Sequence, residues 1–246
     1  MKYALALLFA VGFGWGAAAQ QPTPAFTPAQ RGEIVTIMRD ALRTDPTLLR
    51  DAIAAMQLQE TKHEEEATRT AIALLGTALV QESSDPVAGN PHGDVTLVEF
   101  YDVRCPYCRR MVPVLADLLK REPDLRVVYK DLPILGPPSV LGARALLAAQ
   151  KQDGYFRLHD VLMAGPPEID VARLQAAATG VGLDWDRLQR DMAAPDIQAR
   201  IAANLALGQK LHIDGTPAYI IGGKMIAGAV DLAELQAAVT EARHGR

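Results

Sequence analysis

Hydrophobic and polar residues follow two different periods along this 246-residue chain. In residues 29–82, apolar side chains recur every three or four positions, which predicts two or three amphipathic helices. From Val95 to Tyr101 the chain is rich in β-forming residues, and residues 125–130 alternate in the same way. These two runs predict strands on either side of one helix.

After residue 139 the pattern is mainly helical, and glycine, proline and aspartate separate the pieces. We predict helices at residues 140–151, 154–163, 171–180, 185–192 and 197–211. A strand follows at residues 217–221, and Gly222-Gly223 predicts a tight hairpin into residues 224–228. An amphipathic helix at residues 231–243 comes last in the pattern.

The first 19 residues have the pattern of a targeting segment. Lys2 is followed by an apolar run from Ala4 to Ala19, and the run ends in small residues of the A-x-A type. We expect residues 1–19 to be a cleaved secretory signal peptide, which would make the protein periplasmic. The alternative is a membrane anchor, but the run is shorter than a comfortable membrane span.

Charge and composition argue against nucleic-acid binding. The formal net charge is −4, aromatic residues make up 5% of the chain, and no block of basic residues occurs. Removal of residues 1–19 would take away Lys2 and leave the chain more acidic. A nucleic-acid surface requires clustered lysine and arginine, so no nucleic-acid partner is expected.

Residues 20–86 are predicted to form a helical region that serves for oligomerisation or as a linker. Their apolar stripe contains too few large side chains to bury a core alone, so it needs a partner surface. That surface is either the chain's own second domain or the same segment of another copy, and we favour self-association. The polar residues 60–70 are expected to be a solvated helix face or a hinge.

The candidate chemistry lies in Cys105 and Cys108, the two cysteines of the chain. They follow the first predicted strand and begin the next helix, where the helix dipole favours a thiolate. A structural disulfide would close a longer loop, because a two-residue gap constrains the unfolded chain very little. A metal site is the other alternative. We expect redox chemistry with no cofactor besides the Cys105–Cys108 disulfide and no metal.

The segment from Glu99 to Cys108, together with Gly215-Thr216-Pro217, resembles the DsbA-type branch of thioredoxin-fold oxidoreductases. The resemblance covers about residues 87–243 and implies a catalytic domain at residues 87–246. It implies an α/β fold, thioredoxin-like with a helical insertion and preceded by the N-terminal helical segment. Those N-terminal helices resemble the ones in exported, oligomeric members associated with suppression of copper sensitivity.

The resemblance assigns roles to the residues of the cysteine motif. Cys105 is the nucleophile, and Cys108 is the more buried resolving thiol that releases the substrate. Pro106 and Tyr107, which separate the cysteines, tune how far the thiolate is stabilised and contribute to substrate binding.

The resemblance also assigns roles outside that motif. Pro217 corresponds to a cis-proline that faces the cysteines, and the Thr216 backbone pairs with an extended substrate. Glu99 corresponds to a buried acidic residue that assists proton transfer for Cys108. Lys130 corresponds to a lysine that pairs with this acid.

The function implied is that of an exported thiol–disulfide oxidoreductase. Its partners would be unfolded or misfolded exported proteins with cysteines, a membrane redox partner, and further copies of itself. Thr216, Tyr107 and the extra helices favour a disulfide isomerase or reductase, and the alternative is a dithiol oxidase. Two other classes remain open: a Cu(I)-binding module that uses both thiolates, and a structural oligomer with incidental cysteines.

Overall fold

A computed structural model describes residues 26–80 and 85–245. The predicted signal peptide at residues 1–19 lies outside the described residues. The chain divides into two compact units, and the boundary falls between Leu58 and Gln59. No helix in the described ranges is both long enough and apolar enough to cross a membrane.

The first unit contains helix α1 (Pro28–Thr44) and the beginning of helix α2 (Thr47–Val80). Thr27 caps α1, because its hydroxyl accepts the Gln30 N–H at 3.3 Å while the Gln30 side chain accepts the Thr27 N–H at 2.9 Å. Asp45 accepts the Thr47 N–H at 3.0 Å at the start of α2. Helix α2 continues without a break through residues 60–70, so this polar stretch is helical.

The first unit buries none of its described side chains. Every residue from 26 to 58 is exposed except Ala41, which is half-buried. The exposed large apolar side chains of the two helices include Ile34, Val35, Ile37, Met38, Leu42, Leu48, Leu49, Ile53 and Met56. Among the described residues of the first unit, no core therefore covers the apolar stripe predicted for this segment.

The second unit consists of a five-stranded sheet and the remaining helices. Its elements are β1 (Val87–Gly89), β2 (Val95–Tyr101), α3 (Pro106–Arg121), β3 (Leu125–Asp131), α4 (Pro137–Gln150), α5 (Tyr155–Ala164), α6 (Val171–Gly180), α7 (Trp185–Met192), α8 (Pro195–Lys210), β4 (Ala218–Ile221), β5 (Lys224–Ala227) and α9 (Leu232–His244). The α/β fold with a helical insertion is confirmed. The strand β1 was not predicted, because three residues are too short to show a period.

The strands lie in the order β1-β3-β2-β4-β5. The central strands β2 and β3 are parallel, while β1, β4 and β5 each pair antiparallel to their neighbours. The β4–β5 hairpin turns at Gly222 and Gly223, whose φ angles are +55° and +84°. Both angles suit glycine, so the predicted hairpin is confirmed.

The two faces of the sheet pack against different groups of helices, because side chains alternate along each strand. Leu97 and Tyr101 face a core that also holds both cysteines and the apolar sides of α3, α5 and α9. Val98 and Phe100 face a second core that includes Ile72 from α2 and residues of α8. The register of β2 therefore decides which side chains lie on the cysteine side of the sheet.

Candidate active site

Cys105 lies at the N-terminus of α3, four residues after the end of β2. It is the N-cap residue of that helix, and Pro106 occupies the first helical turn. The Cys105 N–H donates to the Asp102 carbonyl oxygen at 2.9 Å, and its own carbonyl accepts the Arg109 N–H at 3.1 Å. These bonds hold the Cys105 sulfur at the positive end of α3.

The two thiols have opposite protonation preferences. A hydrogen bond from the Cys108 thiol is the main reason that the pKa of Cys105 falls to about 5. The Thr216 side chain and the backbone N–H groups of Cys108 and Tyr107 lower it further, while burial opposes them. Burial raises the pKa of Cys108 far above its ordinary value. At neutral pH the exchange-ready thiolate is therefore Cys105, and Cys108 holds its proton.

The Thr216–Pro217 peptide bond is cis, as predicted. When it is protonated, the Cys105 thiol donates to the Thr216 carbonyl oxygen, and the S···O distance is 3.1 Å. The Pro217 carbonyl accepts the Gly228 N–H at 2.8 Å, which ties this loop to the end of β5. Two motifs separated by 111 positions in the chain thus meet at one sulfur atom.

Glu99 is buried on the cysteine side of the sheet. It lies opposite Tyr129 on β3 and Tyr219 on β4, and the Tyr219 hydroxyl donates to it over a long distance of 3.4 Å. Burial raises the pKa of Glu99 to about 8, and the bond from Tyr219 opposes this rise. The charge of Glu99 in turn favours the protonated form of Cys108. Glu99 therefore lies close enough to the resolving thiol to influence its protonation.

The predicted pairing of Glu99 with Lys130 is wrong. Parallel pairing of β2 and β3 sets Glu99 opposite Tyr129 and sets Phe100 opposite Lys130. Because alternate residues of a strand project to opposite faces, Lys130 lies on the other side of the sheet from Glu99. Its ammonium group binds the carboxylate of Asp85 at 2.5 Å. Lys130 therefore contributes to the second core rather than to the cysteine site.

Tyr107 lies on the outer side of the cysteine motif and is 53% exposed. The Arg110 guanidinium carbon sits 4.5 Å from the centre of its ring, which is a cation–π contact. Tyr107 and Arg110 line a cavity of about 450 Å³ together with Thr216 and Met225. This cavity opens beside the Cys105–Thr216 contact, and Pro106 is exposed next to it. Tyr107 and Thr216, two of the three residues predicted to bind substrate, therefore line one opening, while Pro106 does not line it.

Sequence reasoning missed Asp102, which organises the loop before Cys105. Its buried carboxylate accepts the N–H groups of Arg104 at 2.8 Å, Ile134 at 2.9 Å and Leu135 at 3.0 Å. These bonds fasten the cysteine loop to the segment after β3. Asp102 directly follows β2, and its carboxylate accepts the N–H of the residue two positions later. This arrangement is an Asx turn, which an aspartate at the end of a predicted strand indicates in the sequence.

Arg109 is a second missed residue, and it joins the cysteine motif to the helical insertion. Its guanidinium donates to the carbonyl oxygens of Val103 at 2.8 Å, Met163 at 3.1 Å and Gly165 at 2.5 Å. Two of these acceptors are more than 50 positions away, so no local pattern could identify the contact. Arg109 fixes the end of α5 beside the active-site loop.

Solved structures of other proteins share this fold. A thioredoxin-like oxidoreductase from Silicibacter pomeroyi is 43% identical, with a TM-score of 0.67 over 68% of this chain and 97% of its own. Proteus mirabilis ScsC, in a transitional conformation, is 32% identical, with a TM-score of 0.66 over 90% of this chain and 99% of its own. The match to ScsC covers a larger share of this chain than the second unit makes up, so it also includes residues of the N-terminal helices.

A curated relative places the same domain in a longer protein. The Na⁺/H⁺ antiporter NhaA 1 of Salinispora arenicola is 32% identical in an alignment of 187 positions that covers 72% of this chain. The same alignment covers 29% of the antiporter, so this chain spans less than a third of that relative. The family described as DSBA-like thioredoxin domain matches residues 96–240. This match covers more than half of the chain, including both cysteines and the Thr216–Pro217 bond, so the chain belongs to the DSBA-like thioredoxin family.

Proposed function

We propose that this protein is an exported thiol–disulfide oxidoreductase that acts on protein cysteines, chiefly as a disulfide isomerase or reductase. The observation that carries the proposal is the 3.1 Å contact between Cys105 Sγ and the Thr216 carbonyl oxygen. It sets a low-pKa sulfur beside backbone groups with which an extended polypeptide can pair. Cys108, buried and protonated, lies in the next turn of the same helix.

In the proposed reaction the Cys105 thiolate attacks one sulfur of a substrate disulfide. A bond forms between Cys105 and that sulfur, the substrate S–S bond breaks, and the other substrate sulfur leaves as a thiolate. In isomerisation a second substrate thiolate then attacks the mixed disulfide and restores the Cys105 thiolate. Alternatively, Cys108 loses its proton and attacks Cys105, which releases a reduced substrate and forms the Cys105–Cys108 disulfide.

Glu99 is the proposed proton acceptor for Cys108 during release. Both groups are buried on the same side of the sheet, where water is excluded. A carboxyl group with a pKa near 8 is deprotonated often enough at neutral pH to take a proton and is basic enough to hold it. Tyr219 is proposed to orient the Glu99 carboxyl group. The sequence resemblance had assigned that role to Lys130.

The exposed helices of the first unit support isomerase or reductase activity. Ile37 and Met38 are 62% and 58% exposed, and the part of the unit that is described has no core to cover them. We propose that this stripe packs against the same stripe of other copies. Several catalytic domains held together would present more than one Cys105 to a bound misfolded chain, which raises the effective concentration of thiolates.

The proposed location is the periplasm, on the basis of the signal-peptide pattern in residues 1–19. The proposed substrates are misfolded exported proteins with cysteines. A membrane thiol–disulfide partner is proposed to return Cys105 and Cys108 to the reduced state. Neither a metal nor an organic cofactor is needed for this cycle, since the two sulfur atoms carry the electrons.

A dithiol oxidase is the second candidate function, and the low pKa of Cys105 favours it. A strongly stabilised thiolate makes the disulfide form a better oxidant. A Cu(I)-binding module is the remaining alternative of a different class. It would leave the Thr216 contact without a purpose, and disulfide exchange that persists with a Cu(I) chelator would count against it.

The test is reactivation of scrambled ribonuclease in a glutathione buffer by the reduced full chain. We expect strong reactivation, loss of it in Cys105→Ala, and a several-fold decrease per active site in Ile37→Glu. Thr36→Glu, which puts the same charge on the neighbouring polar position, is the matched control. Sedimentation velocity would establish whether Ile37→Glu dissociates the assembly.

Three results would separate the alternatives. No reactivation, combined with Cys105-dependent oxidation of reduced ribonuclease, would identify an oxidase. If Ile37→Glu dissociates the assembly and reactivation does not change, assembly through the first unit does not contribute to isomerase activity. Absence of any Cys105-dependent exchange would overturn the oxidoreductase proposal itself.

A further inference from the structure

The second unit contains a larger cavity that neither cysteine lines. Its volume is about 740 Å³, and its walls come from α4, α8, β3 and the end of α2. Apolar side chains make up much of the wall, including Leu147, Ile197 and Leu207. None of the residues assigned to the thiol–disulfide site except Lys130 lines it, and Lys130 has been shown to lie outside that site.

A buried ion cluster forms one wall of this cavity. The Asp85 carboxylate binds Lys130 Nζ at 2.5 Å through one oxygen and Arg200 Nη1 at 2.8 Å through the other. The side chains of Lys130 and Asp85 are each 1% exposed, and that of Arg200 is 12% exposed. Two cations thus share one carboxylate in a place where water is largely excluded.

The cavity meets the cations of this cluster rather than its anion. Lys130 and Arg200 both line the cavity, whereas Asp85 lies behind them and is not part of the wall. Lys130 donates to Asp85 and to the Ala78 carbonyl oxygen, which uses two of the three ammonium donors. Arg200 donates to Asp85 alone among the described residues, although a guanidinium has five N–H donors.

Among the described residues that line the cavity, the other charges do not balance the cluster. Asp131 interacts electrostatically with Arg200 but does not line the cavity. Lys151 pairs with Asp196 at 2.7 Å, so this pair adds no net charge. Lys210 also lines the cavity and forms no ion pair with the part of the chain that is described. A buried net positive charge is unfavourable unless an anion accompanies it. A second anion in the cavity would complete the cluster by giving each buried cation its own partner.

We propose that this cavity binds a small amphipathic carboxylate, such as a medium-chain fatty acid. Its carboxylate would accept hydrogen bonds from Arg200 and Lys130, because guanidinium and carboxylate groups match in planar geometry. Its apolar body would lie against the apolar wall between α4 and α8. An inorganic anion would leave that wall in contact with water, and a neutral lipid would leave the excess positive charge of the cluster without a second anion.

Octanoate, 1-octanol and acetate are the probes that separate these requirements. The reduced full chain would be titrated with each probe below any micelle concentration, and binding would be followed by calorimetry and by the thermal unfolding midpoint. We expect octanoate to bind saturably and to raise the midpoint, since a ligand specific for the folded state stabilises it. We expect neither octanol, which lacks the charge, nor acetate, which lacks the apolar body, to do so at equal concentration.

A matched pair of substitutions at Ala203 tests the location without disturbing the buried cluster. Ala203 is an exposed residue of the cavity wall, one helical turn after Arg200 on α8. Ala203→Glu supplies a carboxylate from the chain itself and is expected to weaken octanoate binding at least 10-fold. Ala203→Gln has nearly the same size and no charge, and is expected to retain binding. Lys210→Gln is expected to weaken binding several-fold.

The outcomes are distinct from those of the exchange assay, because binding is measured without any disulfide substrate. Octanoate binding that Ala203→Glu abolishes and Ala203→Gln preserves would support the site. Equal binding by Ala203→Glu and Ala203→Gln would overturn the location. Equal stabilisation by octanol or by acetate would overturn the ligand class, and absence of saturable octanoate binding would overturn the proposal.

Discussion

The hydroxyl oxygens of Tyr101 and Tyr155 lie 2.6 Å apart, and each lies 2.9 Å from a different carboxylate oxygen of Asp131. These contacts form a closed ring of three hydrogen bonds in the core. Two hydroxyl groups supply two protons, so the third contact has a proton only when Asp131 is protonated. Burial raises the pKa of Asp131 to about 7, in agreement with this proton count.

We therefore expect Asp131 to make stability depend on pH. An unfolded aspartate has a pKa near 3.8, and the folded value is about 7, so the folded state binds the proton more tightly. The stabilisation is fully present below about pH 4 and is lost as pH rises through about 7. Three pKa units correspond to roughly 4 kcal/mol. Asp131→Asn cannot lose a proton, so the wild type should lose stability relative to this variant across that window.

Urea unfolding of both proteins from pH 4 to pH 8 measures this difference. Glu99 and Cys105 also titrate in this window, but both proteins contain them, so the difference between the two profiles isolates Asp131 to a first approximation. Asp186→Asn, at an exposed position on α7, is the control and should give a difference near zero. A flat difference profile for Asp131→Asn would show that Asp131 is ionised throughout.

The pKa of Cys105 should depend on the Cys108 thiol. That thiol supplies the largest favourable contribution to the Cys105 thiolate, so Cys108→Ala should raise the pKa of Cys105. A hydrogen bond to a charged group contributes about 1.5–3 kcal/mol, which corresponds to about 1 to 2 pKa units. Cys108→Ser retains a donor and should shift the pKa less.

Thiolate absorbance at 240 nm against pH reports this pKa directly. In both variants Cys105 is the one remaining thiol of the chain, so the titration belongs to a single group. The rate of alkylation by iodoacetamide at each pH provides an independent measurement. If Cys108→Ala and Cys108→Ser titrate at the same pH, the hydrogen bond between the two thiols does not stabilise the Cys105 thiolate.

Lys130 should matter for stability and not for the cysteine chemistry. Lys130→Met removes one of the two cations that bind the buried Asp85 carboxylate. Removing one partner of a buried ion pair lowers the free energy of unfolding by about 3–5 kcal/mol. Lys120→Met breaks an exposed pair with Asp117 and should lower it by less than about 1 kcal/mol.

Urea unfolding of the Lys130 and Lys120 variants measures these losses, and the 240 nm titration of Cys105 accompanies them. Because Lys130 lies on the opposite face of the sheet from Glu99, the Cys105 titration should be the same in Lys130→Met and wild type. If Lys130→Met shifted the Cys105 titration and left the free energy of unfolding unchanged, the pairing of Lys130 with Glu99 that the sequence resemblance implied would be supported instead.

The elements of this fold were predictable because each leaves a local pattern. The β-rich run at Val95–Tyr101 and the helical periods after residue 139 correspond to observed elements within a few residues. The position of Cys105 at the start of a helix followed from its short motif, and the cis geometry before Pro217 followed from the family resemblance. Local signals sufficed wherever the determining residues were neighbours in the chain.

Contacts between distant elements were not predictable in the same way. The partner of Lys130 depends on the register between β2 and β3, which a single strand's alternation cannot supply. The ring at Asp131 requires Tyr155, which reaches it only when α5 packs on the sheet. Arg109 reaches Met163 for the same reason. In each case the missing information is the docking of the helical insertion or the pairing of strands.

Glu99→Gln tests the proposed proton acceptor for Cys108. We expect release of substrate from the mixed disulfide with Cys105 to slow by about 100-fold, because general-base assistance typically contributes at least that much. The wild-type release rate should rise with pH and level off above about pH 8, as Glu99 loses its proton. In Glu99→Gln the rate should keep rising with pH without a midpoint there.

Rapid mixing of a mixed-disulfide peptide with the reduced chain separates attack by Cys105 from release by Cys108. Glu122→Gln, which removes the charge of a half-buried carboxylate bound to Arg243, is the control and should leave both steps unchanged. A Glu99→Gln protein that slows both steps equally would indicate a structural role. If it slows release alone and loses the midpoint near pH 8, Glu99 acts as the base, since a purely structural defect would not remove that midpoint.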